Sequence, residues 1–281
     1  MSTPGGRRIA VVLFNLGGPD DQASVRPFLF NLFNDPAIID LPGLIRTPLA
    51  RLISSRREKS AQANYALMGG GSPLLPETRR QANALSRVLS ERLPGDEVQA
   101  FIAMRYWNPL TEEAAAAVAA FAPDVIVLLP LYPHYSTTTA QSSLKRWNET
   151  YAGPGVSRAI CCWSRAGGWI EAQAEAIAAK LDEAGDRPVR ILFSAHGIPE
   201  KLVTGKGDPY QEQVEATVAA VMARLEAERG PLDHALCYQS RVGPLKWLGP
   251  STPEAIEQAA GDGLGVVVTP IAFVSAPIQT L

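Results

Sequence analysis

The chain has 281 residues, of which 46% are apolar and 19% charged, with a formal net charge of −2. That length is too great for one small core and fits either one large α/β unit or two domains. The near-neutral balance provides no global field to recruit nucleic acid, and no acidic or basic tail is present.

Arg7-Arg8 followed by IAVVLF has the outline of a secretory leader, but the apolar run meets Asn15 rather than a small-residue cleavage site. A buried strand over 8–14 is the better reading. Further strands are predicted at 97–104, 124–131, 156–162, 188–194, 232–238 and 264–270. Helices are predicted between them at 20–33, 76–92, 110–121, 138–149, 169–183, 207–229 and 252–260. Near-continuous apolar strands such as DVIVLLP and LGVVVTP point to parallel sheet covered on both faces. Thr111 before Glu112-Glu113, and Thr252-Pro253-Glu254, carry helix-start chemistry. The fold class is α/β, doubly wound. No apolar stretch approaches the roughly 20 residues of a membrane span.

Two pairs of segments resemble each other. VLLPLYPHYS (127–136) and VVVTPIAFVS (266–275) both run strand, proline, apolar residues, serine, while VVLFNLGGP (11–19) and ILFSAHGIP (191–199) each end a strand in a polar residue, glycine and proline. Two similar halves meeting near residue 152 would explain both. At the far end Ser275 and Pro277 could start a helix, yet the sequence stops at Leu281, so the expectation is a chain cut inside an element. Of the three cysteines, Cys161 and Cys162 are adjacent and are not expected to close a normal disulfide. Cys237 reads as a small buried hydrophobe, and the sparse set fits a reducing compartment.

In open parallel sheets ligands bind beyond the carboxyl ends of the strands. Five such ends here carry polar, aromatic or glycine residues: Asn15 with Gly17-Gly18, Arg105-Tyr106, Tyr132 through Thr139, His196, and Gln239-Ser240-Arg241. That is the lining expected of a cleft, and it favours a functional His196 over a core histidine. Dinucleotide, P-loop and nucleophile-elbow motifs are missing. Gly69-Gly70-Gly71 could cradle a phosphate, which leaves a nucleotide- or sugar-binding α/β enzyme as an alternative, but the loop lacks a lysine and reads better as a tight turn against another loop or a ligand. His134, His196 and His234 share no metal-site spacing, and His234 is the poorest candidate.

VLFNLGGPD (12–20), GGGSPL (69–74), MRYWNPLTEEA (104–114), LPLYPHYSTTT (129–139), FSAHGIPEK (193–201), GDPY (207–210), CYQSRVGPLKWLGPST (237–252) and PIAFVS (270–275) resemble the ferrochelatase family, in the family's order. The resemblance implies two Rossmann-like halves with parallel sheets flanked by helices and a cleft between them. Residues 1–152 would carry a porphyrin-facing lip and 153–281 the second half. It implies insertion of ferrous iron into a porphyrin, protoporphyrin IX favoured, in haem biosynthesis. Fe2+ is then a substrate, with no permanently bound cofactor and no iron–sulfur cluster expected from these cysteines. His196 matches the active-site histidine, which would accept pyrrole protons or bind the metal. Met68, Tyr132, Trp247 and Leu248 would supply walls; Arg105 and Tyr106 would line the pocket, with Arg105 pairing a propionate or fixing the cleft. Ser136 and Thr137 would offer hydroxyls at its rim, and Asp208 reads as a helix cap.

The segment 38–59 interleaves apolar residues with Arg46 and Arg51 and continues into Arg56, Arg57 and Lys59. By resemblance it is a lip touching the membrane; otherwise it is an amphipathic helix over the core. The protein would then be cytoplasmic, peripheral on the inner membrane. The resemblance departs at the end, where Ala276, Pro277 and Gln279 stand at positions that are acidic, histidine and glutamate in the family. Gln279 is therefore a doubtful metal residue, and slow iron insertion, or a non-catalytic tetrapyrrole-binding protein, is the expectation from those positions.

Overall fold

The computed structural model describes residues 6–241, 245–272 and 274. Ala276, Pro277 and Gln279 lie outside the described residues. The first lobe contains β1 (Arg8–Asn15), α1 (Val25–Phe33), α2 (Gly43–Leu67), α3 (Leu74–Arg92), β2 (Glu97–Met104), α4 (Thr111–Phe121), β3 (Val125–Pro130), α5 (Ala140–Thr150) and β4 (Val156–Ala159). The second contains α6 (Gly167–Ala184), β5 (Val189–His196), α7 (Glu200–Lys206), α8 (Tyr210–Arg229), β6 (His234–Gln239), α9 (Thr252–Gly261) and β7 (Gly265–Thr269).

All strand pairs are parallel, in the orders β2-β1-β3-β4 and β6-β5-β7. β1 is buried along almost its whole length because it is central, with β2 and β3 at its edges and helices on both faces. β5 holds the same central place in the second sheet. The two look-alike sequence pairs therefore occupy equivalent positions: β1 and β5 are the central strands, and β3 and β7 are neighbours of those strands.

Local chemistry differs from expectation at two helix starts. Ser251, not Thr252, caps α9: its hydroxyl accepts from the Glu254 amide while the Glu254 carboxylate accepts from the Ser251 amide. Thr111 is drawn into the first turn of α4 and buried, leaving Leu110 at the cap. One element has no counterpart in the predicted set, and another takes the helical alternative read for 38–59. α7 is a single short helix after Pro199, and α2 turns most of the 38–59 segment into one helix that runs on to Leu67.

Cys237 is fully buried, as predicted. The adjacent Cys161 and Cys162, not expected to close a normal disulfide, lie with their sulfur atoms side by side in the segment that leaves β4. That segment carries the chain into the second lobe. Trp163 donates its amide to the Pro133 carbonyl and its indole N–H to that of Pro130.

The lobes meet where the chain leaving β3 packs on α8. His134 Nε2 lies 2.8 Å from Thr217 Oγ1, and the Tyr135 amide donates to Gln213 Oε1 at 2.8 Å. Asp208 adds the densest cross-link. Its Oδ2 accepts from Ser136 Oγ at 2.9 Å, and from the Thr137 amide and hydroxyl at 2.8 Å each.

Candidate active site

Asn15, at the end of β1, is buried and committed to structure: its side chain donates to Thr78 Oγ1 and accepts from the Leu16 amide. The loop behind it packs against the glycine turn. A Cβ on Gly71 would stand 2.2 Å from the Asp20 carbonyl oxygen, and Ser72 donates its amide to Pro19 O. The glycine turn is thus a loop-against-loop contact, the reading its sequence favoured over a phosphate cradle.

At the ends of β2 and β3 the structure brings Arg105, Tyr106 and Tyr132 together. Arg105 Nη2 is 2.6 Å from Asp35 Oδ2, and its Nε donates to Ser142 Oγ at 2.9 Å. Tyr106 is buried and donates its hydroxyl to the same Asp35 oxygen at 2.8 Å. Burial pushes the Tyr106 phenol well above its ordinary range, and the Asp35 charge adds to that. Burial also pushes up the Tyr132 phenol, opposed by the nearby Ser143 hydroxyl and Arg105 charge. Neither Tyr132 nor Ser143 reaches a well-formed side-chain hydrogen bond. Met68 caps the end of α2 and packs, half-buried, with Trp107 against the α1–α2 cluster. Sequence reading missed Asp35 and Ser142. Asp35 precedes a proline, which reads as a turn, and Ser142 sits inside a helical pattern; only their side-chain meeting gives them away.

Ser136 and Thr137 do not present unoccupied hydroxyls. Both are engaged by Asp208, whose other oxygen accepts from the Tyr210 amide at the start of α8. Asp208 thus stands just ahead of the cap position of α8, which Pro209 takes instead of the predicted Asp208, and it bridges the lobes. The Asp208 side chain is buried, and its two oxygens accept from four donors.

On the second lobe His196 closes β5, in register with Gln239 of β6. Its carbonyl accepts from the Tyr210 hydroxyl at 2.9 Å. Burial lowers the imidazole to about 4, so it is neutral near pH 7. Gly197 follows because nothing larger fits: a Cβ there would lie 2.9 Å from Gln239 O and 3.4 Å from the Trp247 ring. Pro199 bridges to Trp247, and the Leu248 amide donates to Ile198 O, so Trp247 and Leu248 are held by backbone against the turn that follows His196. Ser240 takes a left-handed φ of 70°, a strained conformation for a side-chain-bearing residue. The indole N–H of Trp247, Gln239 Nε2, Ser240 Oγ and Tyr238 OH are buried without a hydrogen-bond partner among the described residues.

Elsewhere His134 is buried, with its ring lowered to about 4 by burial, and His234 is exposed at the start of β6. Among the described residues no cluster of three or more His, Cys, Asp or Glu could hold a metal. None of their helices is long and apolar enough to cross a membrane. In α2, Ala50, Ser54 and Tyr65 are buried, while Leu44 is 93% and Ile45 57% exposed. Arg46 does not project outward as a surface charge; it donates to the carbonyls of Asn34 and Leu41.

Two parallel α/β lobes, with a neutral histidine and an aromatic wall at the strand ends of one and an arginine–tyrosine wall at those of the other, define a ligand-handling α/β enzyme of the doubly wound class. The ferrochelatase family model matches residues 8–281. The chain is 60% identical over 276 residues to the ferrochelatase of Caulobacter vibrioides (strain NA1000 / CB15N), covering 98% of this chain and 78% of that protein. It is 59% identical over 275 residues to the ferrochelatase of Phenylobacterium zucineum (strain HLK1), covering 98% and 79%. With that of Hyphomonas neptunium (strain ATCC 15444) it shares 53% identity over 280 residues, covering 98% and 76%. The chain belongs to the ferrochelatase family, enzymes that insert iron in haem biosynthesis.

Proposed function

We propose that this protein inserts Fe2+ into a porphyrin, with protoporphyrin IX preferred, and that His196 is the proton acceptor. The observation that carries the reading is the neutral imidazole at the end of β5, followed by a turn at Gly197 that packs against Trp247. Insertion releases two pyrrole protons as the metal enters, so the site needs a base that is unprotonated near neutral pH. A buried imidazole meets that condition, and the imidazolium it forms is destabilised by the same burial, which favours passing the proton on to water. The same nitrogen lone pair could instead meet the metal, because neutral imidazole binds iron.

Met68, Tyr132, Trp247 and Leu248 supply apolar and aromatic surface for a flat macrocycle. Arg105 faces the ligand's carboxylate edge or fixes the wall, and Tyr106 backs it. Ser136 and Thr137 contribute by setting the spacing of the lobes through Asp208. Iron is read as cargo and not as a resident cofactor, and no iron–sulfur cluster is assigned to Cys161, Cys162 or Cys237. The exposed start of α2, with Leu44, Ile45 and Leu52 beside Arg51, Arg56 and Arg57, is read as a lip that rests on an anionic membrane surface. The protein would then work in the cytoplasm at the inner membrane.

Porphyrin titration and an iron-insertion assay test the reading together. A Soret-band change with insertion is the expected result. No Soret change would point to a nucleotide- or sugar-binding enzyme, and binding without insertion to a tetrapyrrole-binding protein.

A further inference from the structure

Asp35 lies where the end of α1 turns towards the lip, and its two oxygens do different work. Oδ1 accepts from the Ala37 amide at 2.8 Å, and the Asp35 carbonyl accepts from the amides of Ile38 and Ile39, so this residue shapes the entry to α2. Oδ2 accepts from Arg105 Nη2, Tyr106 OH and Ser142 Oγ at 2.6, 2.8 and 2.9 Å. Ser142 in turn accepts from Arg105 Nε, which closes a ring through the guanidinium, the serine and the carboxylate. An arginine held through Nε and Nη2 has its plane fixed, and Nη1 is the edge left to meet something else. The exposures agree with that division: the Asp35 side chain is 3% exposed and that of Arg105 19%.

We propose that Asp35 is a positioning residue for porphyrin binding that acts through Arg105; this rests on the reading above that Arg105 lines the porphyrin site. Three donors converge on Oδ2 and a fourth on Oδ1, so only a carboxylate satisfies all of them. An asparagine must present its NH2 either to the Ala37 amide or to the three donors at Oδ2, and one side of the joint opens in each case.

The test is a double-mutant cycle on the dissociation constant for protoporphyrin IX, read from the Soret band in detergent, with thermal unfolding confirming that each protein is folded. Asp35→Asn and Arg105→Gln should each weaken binding about tenfold, and the double variant should bind within about twofold of Arg105→Gln. An effect of Asp35 that reaches the ligand independently of Arg105 would instead add, giving about a hundredfold loss in the double variant, and a purely structural role would leave the affinity of folded Asp35→Asn unchanged; either result would overturn the inference alone. Unchanged affinity in Arg105→Gln would overturn the placement of Arg105 at the porphyrin, and the inference with it. If Asp35→Asn does not fold, Ser142→Ala takes its place, because it opens the same ring without stranding a buried charge. About threefold weaker binding, lost in the Arg105→Gln background, is expected; additivity there overturns the inference equally.

Discussion

On the first lobe, the side chains beyond β2 are already matched: Arg105, Tyr106 and Ser142 all converge on one oxygen of Asp35. On the second lobe, Tyr238, Gln239, Ser240 and Trp247 bury polar atoms that have no hydrogen-bond partner among the described residues, and Ser240 holds a strained φ. A buried unpartnered donor costs about 1–3 kcal/mol, so a folded chain keeps several close together where binding can supply the partners. The contrast indicates a division of labour. The Asp35 joint is preset before a ligand arrives, whereas Tyr132 and Ser143 on the same lobe, like the residues around Trp247 on the other, bury polar atoms with no partner among the described residues.

The widest separation of the two walls comes from His196→Ala. Loss of a proton acceptor should lower iron insertion about 10²–10⁴-fold, while porphyrin affinity stays within about tenfold, since the walls remain. Insertion rates and Soret titrations on the same preparation check this. A variant inserting iron near the parent rate would remove His196 from the chemistry and shift attention to the opposite wall.

Acid should separate the histidines from the carboxylate-centred wall. His134 and His196 are both lowered from 6.5 to about 4, so the folded protein binds fewer protons than the unfolded chain between those pH values. Their contribution to stability is complete above about pH 6.5 and is lost as pH falls towards 4. For His134, almost wholly buried, the loss approaches about 3 kcal/mol, because each pKa unit is worth about 1.4 kcal/mol. Urea unfolding of His134→Gln, which keeps a donor for Thr217, should show a shallower pH dependence across this window. A slope identical to the parent's would mean that His134 does not titrate as its burial requires.

Much of this arrangement was legible before folding. Parallel α/β order follows from apolar strands such as 125–130 alternating with helical periodicity, and His196 stands out because an apolar run ends there in a polar residue and glycine. The Asp35 joint was not legible: its partners lie 71 and 107 residues away in Tyr106 and Ser142, and no local pattern encodes such a meeting. The roles of Ser136 and Thr137 misled for a related reason. Hydroxyls at a strand end look available until Asp208, 71 or 72 residues on, is seen to occupy them. α7 was hidden by its brevity, and the helical reading of 38–59 stopped short of Leu67, where α2 ends.

Glycine substitutions test how tightly each wall is backed. Gly71→Ala drives a Cβ into the Asp20 carbonyl, and Gly197→Ala brings one to 2.9 Å from Gln239 O. Each should cost about 1–3 kcal/mol of stability, as overpacking does elsewhere. Gly205→Ala, in α7 with nothing within 4 Å of the added methyl, should be neutral or stabilising by up to about 1 kcal/mol. Equal losses at all three, measured by chemical denaturation, would show that the close approaches at 71 and 197 relax away.

The smallest expected effect distinguishes the arginines of the lip, which the sequence presents as one basic group. Arg51, Arg56 and Arg57 are exposed, although Arg57 also lies 5.8 Å from the Phe33 ring centroid. Arg46 is different, because its guanidinium ties the Asn34 and Leu41 carbonyls and so fixes the turn that begins at Asp35. Replacing Arg51, Arg56 and Arg57 singly by glutamine should weaken binding to anionic vesicles by about 1 kcal/mol each, and salt should weaken the parent in the same way. Arg46→Gln should leave vesicle binding closer to the parent and lower the melting temperature instead, since it removes two hydrogen bonds from a charged donor. Cosedimentation and thermal unfolding of the four variants give both quantities. Equal vesicle losses at all four positions would mean that Arg46 reaches the membrane surface, and that the turn leading from Asp35 to the lip is held by something other than its guanidinium.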